Sequence, residues 1–225
     1  MSFADKKLSE IAISVPGSTA LLREYDLDFC CGGADTLGAA ATEKNLNLAE
    51  IEARLTELQN SKKQDDEQRW LTAPYADMIN HIIHRYHERH KQQLSELFVL
   101  AERVESVHGD RDDCPIGVAA EIQNIYADLS NHMMKEEQIL FPMIKMGNYA
   151  MARMPIQVME HEHAEHGDHL EVLKSLTNNL TPPADACNTW RALYSGIQEF
   201  MDDLMMHIHT ENNILFPRVI EEGSR

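Results

Sequence analysis

A doubled segment constrains this chain more than any other feature. His132-Met-Met-Lys-Glu136-Glu-Gln-Ile-Leu-Phe-Pro142 and His207-Ile-His-Thr-Glu211-Asn-Asn-Ile-Leu-Phe-Pro217 both read H-x-x-x-E-x-x-I-L-F-P, 75 residues apart. Histidine and glutamate at i and i+4 lie on one face of a helix. A shift of 76 residues aligns a second pair of segments: His87 falls on His163, His90 on His166, Leu94 on Leu170, Leu97 on Leu173 and Leu100 on Leu176. Self-similarity at a fixed spacing marks a repeated supersecondary unit. The unit here is a helical hairpin, and two hairpins joined by short turns imply an antiparallel four-helix bundle.

The rest of the sequence agrees with an all-α fold. It has no Val/Ile-rich alternating segment of the kind that makes strands. Helix one is expected from about Pro74 to Ser106, followed by the turn HGDRDDCP at 108–115. Helix two runs to Phe141 or Met146, with Pro142 bending or ending it, and Gly147-Asn148 is a break. Helix three starts near Pro155 and stops at NNLTPP, 178–183. Helix four runs from about Ala184 to Phe216 or beyond. The first part of the chain reads as short pieces: Leu8 to Ser14, Ser18 to Tyr25, a Cys30-Cys31-Gly32-Gly33 turn, Thr36 to Lys44, and Asn47 to Gln59 with a capping-box-like start. The expected organisation is a small helical domain over 1–60, a polar linker over 61–72 and the bundle over 73–225.

Charge and composition narrow the function. A formal net charge of −17 argues against nucleic acid or a membrane surface as partner. The first residues have no apolar leader region, and no run approaches the roughly 18 apolar residues of a membrane span. Four cysteines, two of them adjacent, do not make a disulfide framework. The expectation is a soluble cytoplasmic protein. Histidine is the unusual count, at 12.

H-x-x-x-E alone is a weak signal. The chain holds four, and His84/Glu88 and His161/Glu165 also fit. The ordinary reading of any one is a solvated i,i+4 pair. The shared I-L-F-P tail and the fixed spacing lift two of the four above that. A geometric test then selects their partners, because ligands on neighbouring antiparallel helices share a level only if the turn lies near their midpoint. Residues 87 and 132 have midpoint 109.5, inside HGDRDDCP. Residues 132 and 163 have midpoint 147.5, on Gly147-Asn148. Residues 163 and 207 have midpoint 185, just past NNLTPP. The selected set is His87, His132, Glu136, His163, His207 and Glu211, with His90 and His166 as the alternative imidazoles. His81, His84, His161, His169 and His209 are expected to back the site or face solvent.

Four imidazoles and two carboxylates exceed one tetrahedral zinc, and the histidines exclude an oxygen-only cage for calcium or magnesium. Two metals with two histidines each and two bridging glutamates account for the set. Each metal keeps room for an oxo or hydroxo bridge and a small exogenous molecule. Imidazole with carboxylate suits two non-haem iron ions, with manganese or a mixed pair as alternatives. An unmetallated buried polar network would be costly.

At these residues the chain resembles the haemerythrin-like HHE di-iron domains. Tyr25-Asp-Leu-Asp-Phe-Cys30-Cys31-Gly32-Gly33 resembles the short domain that precedes them in the iron–sulfur cluster repair di-iron proteins of the RIC, or YtfE/ScdA, type. The resemblance spans nearly the whole chain. It implies a bacterial stress protein that restores iron–sulfur clusters damaged by nitric oxide or oxidants, with a bridged di-iron centre that donates iron or handles NO. Damaged iron–sulfur proteins, NO and O2 are the implied partners, for a monomer or homodimer. Catalytic NO reduction and plain O2 or NO binding stand as rival functions.

From the residues alone, Cys30 and Cys31 can form a vicinal disulfide, bind iron or NO, pass a nitrosyl or an electron to a partner, or be semi-buried thiols at a turn. Gly32 and Gly33 allow close backbone approach there. Cys114 and Cys187 are expected to have no role, and the methionines at 133, 134, 143, 146, 201, 205 and 206 are expected to pack the core.

Overall fold

In the computed structural model, residues 2–61 and 66–224 are described. Each local element has a local cause. Thr36 caps Leu37–Glu43 by accepting from the Ala39 N–H, and Asn47 caps Leu48–Asn60 by accepting from the Glu50 N–H. Gly17, at φ 78, sets off Ser18–Glu24. With Leu8–Ser14 these make four short helices, α1 (Leu8–Ser14), α2 (Ser18–Glu24), α3 (Leu37–Glu43) and α4 (Leu48–Asn60). Of the expected linker, residues 62–65 lie outside the described residues, and Asp66–Leu71 forms a 3-10 turn.

Four long helices follow. α5 covers residues 75–108, α6 residues 118–145, α7 Tyr149–Leu176 and α8 residues 188–223. α5 packs on α6 and α8, and α7 packs on α6 and α8, so the four close into a ring. Among the described residues there is no strand, only an isolated bridge between Lys7 and Thr36. No helix of the described residues is long and apolar enough to cross a membrane.

Three of the four long helices contain a widened π turn: Ile83–His87 in α5, Glu136–Leu140 in α6 and Thr210–Leu215 in α8. Two of these directly precede Phe-Pro, at Pro142 and Pro217. Proline has no N–H to give the ladder, and a widened turn just before it absorbs that break, so α6 continues through Pro142 to residue 145. Such turns concentrate at functional sites.

α7 starts six residues earlier than the sequence suggests. Gly147, at φ 76, turns the chain and Asn148 precedes the helix, leaving Pro155 inside it. The ladder carbonyl that Pro155 cannot serve belongs to Met151, a solvent-facing residue. α8 begins at Asn188, later than Ala184, after a turn in which Asn178, Asn179 and Leu180 all have positive φ.

The core is divided. One apolar cluster contains Leu94, Leu97, Val118, Ile122, Leu173, Trp190 and Phe200, and it continues into Leu8, Leu22, Phe29 and Leu55 of the N-terminal helices. The other contains Ile79, Ile82, Phe141, Ile144, Ile156, Leu215, Phe216 and Val219. The methionine expectation is corrected in part, since Met134 and Met146 are exposed. The histidines and glutamates of the repeat lie at the level between the two clusters.

Candidate metal centre

The π turns in α6 and α8 begin at or just before the motif glutamates, Glu136 and Glu211, and the one in α5 ends on His87. All six selected side chains are buried, none more than 1% exposed. Their donor atoms fall into two groups that share the glutamates: His87, His207, Glu136 and Glu211 in one, and His132, His163, Glu136 and Glu211 in the other. Glu136 Oε2 lies 3.3 Å from His87 Nε2 and 3.5 Å from His132 Nε2. Glu211 Oε2 lies 3.2 Å from His163 Nε2, and its Oε1 3.4 Å from His207 Nε2.

None of the four carboxylate oxygens makes a hydrogen bond of proper geometry, nor do His87 Nε2 or either ring nitrogen of His207. Each buried polar group left unsatisfied costs about 1–3 kcal/mol. Two pairs of imidazole nitrogens facing two shared carboxylates are a donor set with an electrophile to serve, and a pair of cations fits it.

The electrostatics favour the same state. Burial, above all, holds His87, His132 and His207 below the ordinary histidine value, His132 at about 4, so all three are neutral imidazoles with a lone pair to give. Burial and the neighbouring Glu211 push Glu136 well above the carboxylate range. Glu211 goes the other way, because His207 and His163 outweigh its burial.

Outer residues aim the rings, and sequence reasoning missed them. His87 Nδ1 bonds Glu137 Oε1 at 2.8 Å, His132 Nδ1 bonds Glu162 Oε2 at 2.9 Å, and His163 Nδ1 bonds Asn212 Oδ1 at 2.7 Å. With Nδ1 occupied, Nε2 points inward. Phe141 stacks on His87 and Phe216 on His163, at centroid distances of 5.8 and 6.0 Å. The signal for four of these five was in the repeat itself: Glu137 and Asn212 follow the motif glutamates, and the two phenylalanines belong to the I-L-F-P tails, whereas Glu162 lies outside it.

The remaining histidines divide. His84/Glu88 and His161/Glu165 are solvent-exposed i,i+4 pairs. His90 and His166 are buried and belong to neither four-residue group. His90 bonds Gln93 and lies 5.3 Å from His207 by ring centroids. His166 lies edge-on to His132 at 4.9 Å, with both nitrogens unpartnered. His209, expected to back the site or face solvent, is buried against Phe29, with its Nδ1 2.8 Å from Asn213 Nδ2.

The cysteine turn lies beside this layer. Asp28 shapes it: Oδ1 accepts from the N–H groups of Cys30 and Cys31, both at 2.9 Å, and Oδ2 from the Gly32 N–H at 2.8 Å. A side chain at Gly33 would come within 2.6 Å of the Phe29 carbonyl oxygen, so the turn requires glycine there. Both cysteines are free thiols, Cys30 buried and Cys31 exposed. The hydrogen bond with Cys31, then burial, pushes the Cys30 thiol up. Cys31 Sγ lies 3.4 Å from the His163 carbonyl oxygen.

Known proteins share both parts. Residues 78–219 match the haemerythrin HHE cation binding domain, and residues 4–59 match ScdA_N, a domain of unknown function. A probable iron–sulfur cluster repair protein of Haemophilus influenzae is 69% identical over 99% of this chain and 100% of its own length. The iron–sulfur cluster repair protein YtfE of Musicola paradisiaca is 57% identical over 98% of each chain. That of Escherichia coli is 52% identical over 98% of this chain and 99% of its own. Two-domain matches and identities of this size over whole chains leave one assignment: the chain belongs to the haemerythrin HHE family, within the group of YtfE-type iron–sulfur cluster repair proteins.

Proposed function

We propose that this chain is a non-haem di-iron protein that repairs iron–sulfur clusters damaged by nitric oxide or oxidative stress, with iron from the paired site as the material donated. The observation that carries the reading is the sharing of Glu136 and Glu211 between two imidazole pairs, with all four carboxylate oxygens unsatisfied. The relatives named for cluster repair supply the task.

In this reading His87 and His207 hold one iron, His132 and His163 the other, and the two glutamates bridge them. An all-imidazole and carboxylate donor set without thiolate suits iron. Iron so bound supplies a redox-active Lewis acid with positions left open for an oxo or hydroxo bridge and for NO or O2. The chain's own part is to hold His87, His132 and His207 as neutral imidazoles by burial and to aim the Nε2 atoms of His87, His132 and His163 through their Nδ1 partners. The apolar clusters on either side keep bulk water from the layer. Damaged iron–sulfur proteins are the partners, and Cys30 and Cys31 are a redox or transfer element beside the site.

The test is reactivation of an NO-treated [4Fe–4S] hydratase. Iron-loaded protein is expected to restore activity, and Glu136→Ala protein, handled identically, is not. Full iron occupancy with no restoration would remove the repair assignment and leave the metal site standing.

A further inference from the structure

The two hairpins differ at the residue after the motif glutamate, which is Glu137 in the first and Asn212 in the second. Both do the same service, accepting from the Nδ1–H of a candidate ligand, His87 and His163 respectively. A carboxylate can only accept, whereas a primary amide has two N–H groups to donate. Asn212 donates with Nδ2 to the Cys30 carbonyl oxygen at 3.1 Å. Its neighbour Asn213 donates to the Phe29 carbonyl oxygen at 2.8 Å. One amide thus joins a candidate ligand ring to the backbone of the cysteine turn.

We propose that Asn212 is a positioning residue that couples the Cys30–Cys31 turn to the metal held by His132 and His163, so that metal binding latches the turn onto the bundle. The inference rests on the paired-metal reading above. A metal on His163 Nε2 leaves the ring proton on Nδ1. Asn212 Oδ1, 2.7 Å from Nδ1, accepts it, which leaves Nδ2 facing the Cys30 carbonyl. Without metal, the proton can reside on Nε2, 3.0 Å from His132 Nε2. Nδ1 then needs a donor, the amide turns over, and Oδ1 faces the Cys30 carbonyl oxygen. Two acceptors opposed repel, and the turn is released. Coupling of this kind is reciprocal: whatever displaces the cysteine turn weakens the tautomer that binds metal. Glu137, with no N–H, can transmit nothing of the sort.

Alkylation of Cys31 by iodoacetamide, followed peptide by peptide by mass spectrometry, reads the latch in the full chain with and without Fe(II) under anaerobic conditions. Cys31 is exposed and Cys30 buried, so Cys31 reacts first, and fragmentation of the peptide that carries both places the adduct. Iron loading is expected to slow Cys31 alkylation by about fivefold, the low end of ordinary coupling between sites. Asn212→Asp keeps an acceptor for His163 but has no donor for Cys30, and is expected to abolish the difference. Asn213→Ala loses the Phe29 contact without touching His163, and is expected to keep it. Equal rates with and without iron in the unaltered chain overturn the proposal, whatever the variants do, and so does an Asn212→Asp chain that keeps the difference. A chain that never takes up two irons overturns the paired-metal reading, a separate failure seen in the iron count.

Discussion

The two hairpins of the bundle are alike where they meet and unlike where they face outward. Glu136 and Glu211 are equivalent, as are His132 and His207, His87 and His163, and the stacked Phe141 and Phe216. Behind the rings the symmetry breaks. His132 is held by Glu162, whereas Tyr86, at the position equivalent to Glu162, stacks on His207 at 5.2 Å, and His207 Nδ1 has no hydrogen-bond partner. His87 is held by the carboxylate of Glu137, His163 by the amide of Asn212. Each imidazole pair thus contains one carboxylate-backed ring, and the His132/His163 pair is tied to the cysteine turn through the His163 carbonyl oxygen and Asn212. A duplicated unit keeps its shared layer under a common constraint and specialises its surroundings.

Breaking the shared layer is expected to have the largest effect and to be indifferent to the hairpin chosen. Glu136→Ala and Glu211→Ala should each lower metal content from two ions to at most one per chain, by elemental analysis. Retention of two in both would remove the bridging roles.

Acid should act nearly as strongly on the metal-free protein. Burial holds His87, His90, His132, His166 and His207 below the ordinary value, His132 at about 4 and His166 at about 2. The unfolded chain therefore binds more protons below pH 6.5, and stability falls with pH by about 1.4 kcal/mol per unit for each such group. Glu136 has the opposite sign: its raised value stabilises at low pH, and the benefit is lost as pH rises through that value. Between pH 4.5 and 6.5 several imidazoles outweigh one carboxyl. The urea midpoint of the metal-free chain should drop clearly from pH 6.5 to pH 5, and a flat profile would mean that the rings are not buried and neutral.

Much of this layer is legible in the sequence. The motif glutamates and four histidines could be chosen because a repeat and three turn positions each restrict helix register independently. His90 and His166 were harder, since residues three apart on a helix share a face. The π turns leave no mark in a regular helical spacing, because a widened turn shifts the phase of the residues beyond it. The docking of the cysteine turn joins residues more than 130 positions apart, and no local pattern carries such a contact.

The outward asymmetry can be sharpened by comparing single changes. Glu137→Ala should weaken metal binding by about 10- to 100-fold, the usual penalty for removing a carboxylate behind a ligand histidine. Asn212→Ala, losing a neutral acceptor, should cost less, and titration with Fe(II) would order the two. A larger loss at Asn212 would reverse the comparison. At the small end, His84→Ala and His161→Ala remove exposed pairs and should shift stability by no more than about 0.5 kcal/mol, with metal content unchanged.

The central claim is that two ions share Glu136 and Glu211. Anomalous scattering at the iron edge from crystals of the iron-loaded protein tests it directly. The account requires two peaks about 3.5–4 Å apart, one between His87 and His207 and one between His132 and His163. A single peak, or a pair centred on His90 or His166 with either glutamate unengaged, would contradict it.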